Sequence, residues 1–350
     1  MTKRERVSIA LAHREPDRVP AGEISIEAGF ANRLLGTSYP GDYQLYERDR
    51  AVRERLDIDY VNMGDWPSYD LGVNDQGYRV FRSAYGDQYA VSGHSRRMVR
   101  PLVPSMGEAR SYRPPNPRQV TGELVRAFAA DADMFVFGQV GGPVTILDES
   151  PGMEEFMIAA LENTDEIQLP SEAVMSFEAE KAKVLLDAGA DAILVGDDIA
   201  FNSGPFLPPR VMRQVVYPLY RWLIAEIRRH RNVRVFLHSD GQLTPVLEEI
   251  VACGFEGLHS LQPSAGMDIA EIKRRYGSAL TLMGNIDLDY VMTMAPPSHV
   301  EDVVKKTIDV AAPGGGFILG TCNALIESVP PANALAMYTT AHRYGMYARD

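Results

Sequence analysis

The stretch VRVFLHSDG, residues 233–241, decides the fold. Val233, Val235, Phe236 and Leu237 form a short β-branched and aromatic run, which predicts a buried strand. The run stops on three polar residues, His238, Ser239 and Asp240, just before Gly241. The same build recurs in RVPAGEIS (18–25), IDYVNMGD (58–65), MFVFGQVGG (134–142), DAILVGDD (191–198), FEGLHSLQ (255–262), ALTLMGNID (279–287) and GFILGTCN (316–323). Helix-length segments separate them. In SEAVMSFEAEKAKVLLDAG (171–189) apolar residues recur at three- and four-residue spacing, and Gly189 is placed to cap the end. PPRVMRQVVYPLYRWLIAEIRRH (208–230), TPVLEEIVACG (244–254) and PSHVEDVVKKTIDVAA (297–312) read the same way, the first opening on prolines that a helix start tolerates. Eight alternations of strand and helix predict an α/β fold, a (β/α)8 TIM barrel, with a doubly wound open sheet as the structural alternative.

A barrel explains the polar endings, because the C-terminal ends of all eight strands converge on one mouth, where catalytic residues gather. In chain order the endings supply Glu23 and Ser25; Asn62 and Asp65; Gln139; Asp197 and Asp198; His238 and Asp240; His259 and Gln262; Asn285 and Asp287; and Thr321, Cys322 and Asn323. Asp, Asn and Ser also end strands simply because they start turns and cap helices. His238, His259 and Cys322 are not preferred caps, so a functional role is expected of them first.

The remaining organisation is plain. Residues 66–120 interrupt the alternation with a stretch rich in Tyr, Gly and alternating apolar residues, followed by SYRPPNPRQ. A hairpin-containing insertion after the second strand is expected there, a functional loop or lid within a single barrel domain covering 1–350. Of the 350 residues 45% are hydrophobic and 23% charged, and the apolar runs are too short to cross a bilayer. The N-terminal stretch lacks the build of a signal peptide, and two cysteines suggest no disulfide framework, so a cytoplasmic protein is expected. A net charge of −12 disfavours nucleic acid as a partner.

His238, Asp240 and Cys322 offer imidazole, carboxylate and thiolate, all of which zinc accepts, and three protein ligands with an open fourth position is the usual catalytic arrangement. His238 and Asp240 stand two apart, so on a strand they share a face. The plainer alternatives are a core histidine bonded to a carbonyl and a buried, inert thiol. Cys253, inside a helical segment, is expected to pack. GGPVTIL (141–147) and PGGGFILG (313–320) lack dinucleotide-fingerprint spacing, and neither a nucleophile elbow nor a P-loop motif is present. No D-x-H-x-x-G sequence is present to ligate a corrinoid, so any corrinoid must be carried by another protein.

RERVSIALAHREPDRVP at the start, then FGQVGGPVTIL, GDDIAFNSGPFLPP, HSDG, MGNID and PGGGFILGTCNAL…VPPANALAM, resemble in order the uroporphyrinogen decarboxylase superfamily, and within it the corrinoid-dependent methyltransferase branch. The resemblance implies a distorted (β/α)8 barrel that moves a methyl group between a small substrate and the cobalt of a corrinoid protein, with zinc as cofactor. It also leaves a homodimer within range. The branch's zinc enzymes use H-x-C and a later cysteine. His238 matches the first ligand, Cys322 resembles the last, and Asp240 replaces the middle cysteine. Catalytic roles are therefore expected for His238, Asp240 and Asp65. Substrate contacts are expected from Glu23, Gln139, Asp198, His259 and Asn285, and metal ligation from His238, Asp240 and Cys322. An oxygen ligand in place of a thiolate donates less charge, which favours an O-methyl substrate. Where decarboxylases of the superfamily carry arginines, this chain has AGEISIEAGFANR, with Glu23 and Glu27, which should repel a porphyrinogen's carboxylates. The rival readings are a metal-free decarboxylase or lyase acting on a small carboxylate, with Asp240 or Asp65 facing a cationic intermediate, and a noncatalytic tetrapyrrole-binding role.

Overall fold

The computed structural model describes residues 1–39, 45–64, 68–83, 85–92, 95–101, 105, 108, 113–114, 116–130, 133–144 and 153–347. Its strands are β1 (Tyr60–Met63), β2 (Ser68–Val73), β3 (Arg79–Ser83), β4 (Gln88–Ser92), β5 (Ser95–Arg100), β6 (Phe135–Gly141), β7 (Ala192–Gly196), β8 (Ala200–Phe201), β9 (Gly204–Pro205), β10 (Val235–His238), β11 (Gly257–Ser260), β12 (Thr281–Ile286) and β13 (Phe317–Thr321). Seven of them form one parallel sheet in the order β1-β6-β7-β10-β11-β12-β13. The segment expected as the first strand closes the ring as bridges rather than as a continuous strand. Leu319 N–H donates to the Pro20 carbonyl at 2.9 Å, Gly22 N–H to the Leu319 carbonyl at 2.9 Å, and Asp59 N–H to the Ala21 carbonyl at 2.9 Å. The reason is local: Pro20 has no N–H to offer a ladder, and a Cβ at Gly22 would overlap the Tyr60 ring.

Side chains alternate along each strand of the barrel. Tyr60, Phe137, Leu194, Phe236, Met283 and Ile318 share one buried cluster. Their neighbours Val61, Val136, Val195, Val235, Leu237, Leu282 and Leu319 belong to the larger cluster packed under the helices. The first set therefore fills the barrel, as the two-residue period requires. Its rings meet edge-on, Tyr60–Phe137 at 5.4 Å and Phe137–Phe236 at 5.1 Å between centroids. Gly257 gives its place in this layer to the Phe236 ring, which a Cβ would overlap. Val7 and Leu11 of the helix Lys3–Leu11 join the same cluster. Two residues further along each strand, on the same inward face, stand Asn62, Gln139, Gly196, His238, His259, Asn285 and Gly320. A hydrophobic floor thus carries a polar layer.

The insertion after β1 is an antiparallel sheet, β2-β3-β4-β5. Tyr85, in the β3–β4 connection, reaches the helix Thr164–Asp187, where its hydroxyl donates to Glu178 and its ring meets Phe177 edge-on at 5.5 Å. Glu178 also accepts the Gly141 N–H at 2.6 Å, tying the insertion to the end of β6. The helix Thr164–Asp187 starts earlier than its periodicity predicts and contains Pro170. No helix among the described residues is long and apolar enough to cross a membrane.

Candidate functional site

Strand β10 ends at His238, which pairs with Gly196 of β7 on one side and His259 of β11 on the other. The chain then turns sharply. Ser239 Oγ accepts the Ile199 N–H at 3.0 Å, Asp240 N–H donates to Asp198 Oδ1 at 2.7 Å, and Gly241 N–H donates to Gln262 Oε1 at 2.9 Å. Gly241 has φ +89°, and a Cβ there would meet the Ala200 carbonyl, so the turn requires glycine. These bonds bring Asp240 beside His238 from outside the strand, where the pleat argument had placed it on the strand itself. A donor atom from each of Asp198, His238 and Asp240 lies within 4.8 Å of the other two. His238 Nε2 is 4.0 Å from Asp198 Oδ1.

Asp240 Oδ2 accepts from Asn323 Nδ2 at 2.5 Å. The other oxygen is buried without an aligned hydrogen-bond partner, although the Ser260 hydroxyl lies near. Burial raises the pKa of Asp240, and the neighbouring Asp198 raises it further, against the lowering influence of His238 and Asn323. His238 Nδ1 lies 2.8 Å from His259 Nδ1. His259 is fully buried, which holds its pKa well below the usual histidine range. The backbone around it is strained: Ser260, Leu261 and Asn285 have φ of +121°, +55° and +77°. Asn285 Nδ2 donates to the Leu261 carbonyl at 2.7 Å, pinning one strained strand end to the next.

Beneath this rim, Glu23 accepts from Thr321 N–H at 3.1 Å, Thr321 Oγ1 at 2.5 Å and Tyr338 OH at 2.8 Å. It has no exposed surface, and burial raises its pKa to about 7 despite those three donors. Asp197 faces away from the mouth, accepting from Tyr220 OH at 2.5 Å and Val144 N–H at 3.0 Å. Asn62 Nδ2 donates to Gln139 Oε1 at 2.8 Å, joining two members of the polar layer.

The sequence profile of the uroporphyrinogen decarboxylase (URO-D) family matches residues 92–344. The chain belongs to the uroporphyrinogen decarboxylase family. Relatives lie in both of its branches. The methylcobamide:CoM methyltransferase MtaA of Methanosarcina barkeri is 29% identical over 193 residues, covering 53% of each chain. The uroporphyrinogen decarboxylase of Salmonella paratyphi B is 27% identical over 163 residues, covering 45% of this chain and 43% of its own. The chain spans about half the length of the relatives it matches. Among solved structures, a methyltransferase from Methanosarcina mazei superposes with a TM-score of 0.77 at 20% identity, covering 98% of this chain and 99% of that one. A B12-independent methionine synthase from Shewanella sp. W3-18-1 gives 0.55 at 12%, over 93% and 96%. At such identities these two likenesses speak for the fold.

Within this family fold the expected residues fall into four groups. His238, Asp240 and Asp198 converge at the mouth, with Gln139 and Asn285 in the layer beneath. Glu23 and His259 are fully buried, and their contacts are with protein side chains rather than the open mouth. Asp65 lies outside the described residues. Cys322, expected as the third ligand, is not among the clustered donors; Asp198 takes that place. Its N–H is tied to the Ile286 carbonyl at 2.8 Å, and burial, with Asp240, Asp287 and Glu23 nearby, pushes its thiol pKa up to about 12. The residue after it, Asn323, is the one that reaches Asp240, a contact that no local sequence pattern announces.

Proposed function

We propose that this protein is a corrinoid-linked methyltransferase that moves a methyl group between a small substrate, an O-methyl compound by preference, and the cobalt of a separate corrinoid protein. One observation carries the reading: an imidazole and two carboxylates meet at the barrel mouth, the position where this fold places its chemistry. The family's metal suits this donor set. Two oxygen ligands and one nitrogen are acceptable to zinc, and the unpartnered buried oxygen of Asp240 is left without a bond that a cation would supply. We therefore assign His238, Asp240 and Asp198 as the groups that would hold zinc, with Cys322 outside them. When bound, the metal would supply Lewis acidity toward the substrate heteroatom, and the corrinoid would supply the methyl-exchanging cobalt.

The chain's own residues orient and exclude. Asn323 holds Asp240 in one rotamer, and the Asp240 N–H holds Asp198 across the turn. Gln139, its oxygen held by the buried Asn62, offers an amide group at the floor of the mouth for a small polar substrate. The chain would act as one barrel unit, with the sheet β2-β3-β4-β5 serving as a lid; the Tyr85–Glu178–Gly141 link, which ties that sheet to the end of β6, supports that role. The decarboxylase reading draws on the Salmonella relative. Glu23 does not argue against it as the sequence suggested, because its carboxylate is buried rather than presented to substrate. The carboxylates of Asp198 and Asp240 at the rim now carry that argument, since they disfavour a polyanionic ligand.

The test is a screen of methoxyaromatics and methylamines against cob(I)alamin, and of thiols against methylcobalamin, read by visible spectrum. Methylcobalamin formation with a methoxy compound supports the proposal. Carbon dioxide release from a carboxylate substrate by metal-free protein, with no methylcobalamin from any candidate, overturns it.

A further inference from the structure

We infer that Gln139 is a specificity-determining donor: Asn62 turns its amide so that Nε2 points into a gap beside Gly196, where it favours a ligand bearing a hydrogen-bond acceptor, an ether or phenol oxygen, over an alkylammonium. The seating of a substrate in that gap rests on the methyl-transfer reading above; the direction of the amide does not. That direction follows from two contacts. A main-chain carbonyl only accepts, so the Asn62 atom that meets the Ile24 carbonyl at 3.2 Å is Nδ2. The same amino group meets Gln139 at 2.8 Å, so the Gln139 atom facing it is the oxygen. The reverse orientation would set Asn62 Oδ1 against the Ile24 carbonyl, acceptor against acceptor. The remaining amide atom of Asn62 is buried without a partner in either orientation, so it does not decide between them. With its oxygen committed to Asn62, Gln139 presents the two N–H groups of Nε2 on its other branch, 2.9 Å from the point where a Gly196 Cβ would stand. Among the described residues no group accepts from them.

The gap is made by the absence of a side chain. Gly196 lies on β7, between β6, which carries Gln139, and β10, which carries its register partner His238. It follows Leu194 of the barrel interior by two residues, so a side chain there would face inward. Such a Cβ would meet the Gln139 amide first and the Val140 carbonyl next, at 3.8 Å, so the space is otherwise open. Gly241 needs glycine for its backbone, with φ +89°, whereas Gly196 is not in the left-handed region, and what glycine supplies at 196 is room. Neighbouring strands stand about 4.8 Å apart, so a small ligand resting on Gly196 has the Gln139 amide on one side and His238 on the other. An acceptor oxygen in that place takes an N–H from Gln139. An alkylammonium sets N–H against N–H, although the carboxylates of Asp198 and Asp240 at the rim attract its charge. Gln139 therefore acts on the ratio of the two affinities, which is what specificity measures.

The experiment measures binding of two probes, ortho-methoxyphenol and methylammonium, to the full-length protein labelled with 15N-glutamine. The Gln139 side-chain amide signal is the one missing from the spectrum of Gln139→Glu. In the parent, ortho-methoxyphenol should move that signal and methylammonium should not. Gln139→Glu keeps an oxygen for Asn62 and exchanges the N–H groups for a second oxygen, so the ratio of ether to ammonium affinity should fall about 10-fold or more. Gln139→Met removes the donor without adding charge, and should weaken ortho-methoxyphenol about 3–10-fold while sparing methylammonium. Gly196→Ala, whose methyl meets only the flexible end of Gln139, should fold with an unchanged circular dichroism spectrum and weaken ortho-methoxyphenol by a similar factor, about 3–10-fold. A Gln139 signal that ortho-methoxyphenol leaves in place, an affinity ratio that Gln139→Glu does not change, or no binding of ortho-methoxyphenol to the parent overturns the inference. Binding with the expected signatures but no methylcobalamin from ortho-methoxyphenol and cob(I)alamin would sink the methyl-transfer reading and leave the pocket standing. Methylcobalamin formed from methylammonium, with the Gln139 signal unmoved by ortho-methoxyphenol, would do the reverse.

Discussion

Replacing Glu23 with Gln should change the pH dependence of stability in a way the buried carboxylate dictates. In the folded protein its pKa is raised from 4.5 to about 7, chiefly by burial. A raised carboxyl pKa means that the folded state binds more protons than the unfolded chain between those two values, so folding stability falls as pH rises through that window. Each unit corresponds to about 1.36 kcal/mol, so the ionised Glu23 costs about 3 kcal/mol above pH 7 relative to below pH 4.5. The glutamine variant lacks this titration. It keeps an acceptor oxygen for Thr321 or Tyr338, and its own misfit is a constant that does not vary with pH. Urea denaturation of both proteins from pH 4 to pH 8 isolates the effect, because every other titration cancels in the difference. The variant should gain on the parent by about 3 kcal/mol across the window, then level off. A difference that stays flat, or that favours the parent as pH rises, would refute the claim that burial outweighs the three hydrogen bonds Glu23 accepts.

Other expectations follow from packing and from the ion pairs. Gly257→Ala pushes a methyl into the Phe236 ring inside the barrel and should cost about 1–3 kcal/mol in chemical denaturation. Phe236→Ala, which empties the same layer, should cost about 3–5 kcal/mol. Asp59 lies buried between Arg6 at 2.6 Å and Arg18 at 2.7 Å, and Asp59→Asn leaves two guanidinium groups short of a counter-charge; a loss of about 3–5 kcal/mol is expected in the same assay. Tyr85→Phe removes the hydroxyl that donates to Glu178, and hydrogen exchange of the amides in β3 and β4 should accelerate while those of β10 and β11 do not change.

Much of this was readable from the strand ends. The alternation that makes Phe236 face inward makes His238 face inward too, and the same step of two carries Met283 to Asn285 and Phe137 to Gln139. The first strand was legible as a position but not as a strand, because Pro20 and Gly22 reduce it to bridges. Asp197 and Asp198 are adjacent, so along the strand only one can face inward, and in the structure Tyr220 and Val144 draw Asp197 outward. The roles of His259 and Cys322 were not legible. Whether a residue at a strand end opens to the mouth or lies sealed under the next turn depends on the path of that turn, and the left-handed Ser260 and Leu261 give no sequence signal comparable to glycine.

The most direct test of the central claim is the metal content of protein purified without chelator, in the parent and in the His238→Ala, Asp240→Asn, Asp198→Asn and Cys322→Ala variants. One divalent ion per chain should be present in the parent, be lost with His238→Ala and Asp240→Asn, fall with Asp198→Asn, and persist with Cys322→Ala. A parent protein that transfers methyl groups with no metal bound, or a metal that departs with Cys322 and stays without Asp198, would contradict the assignment.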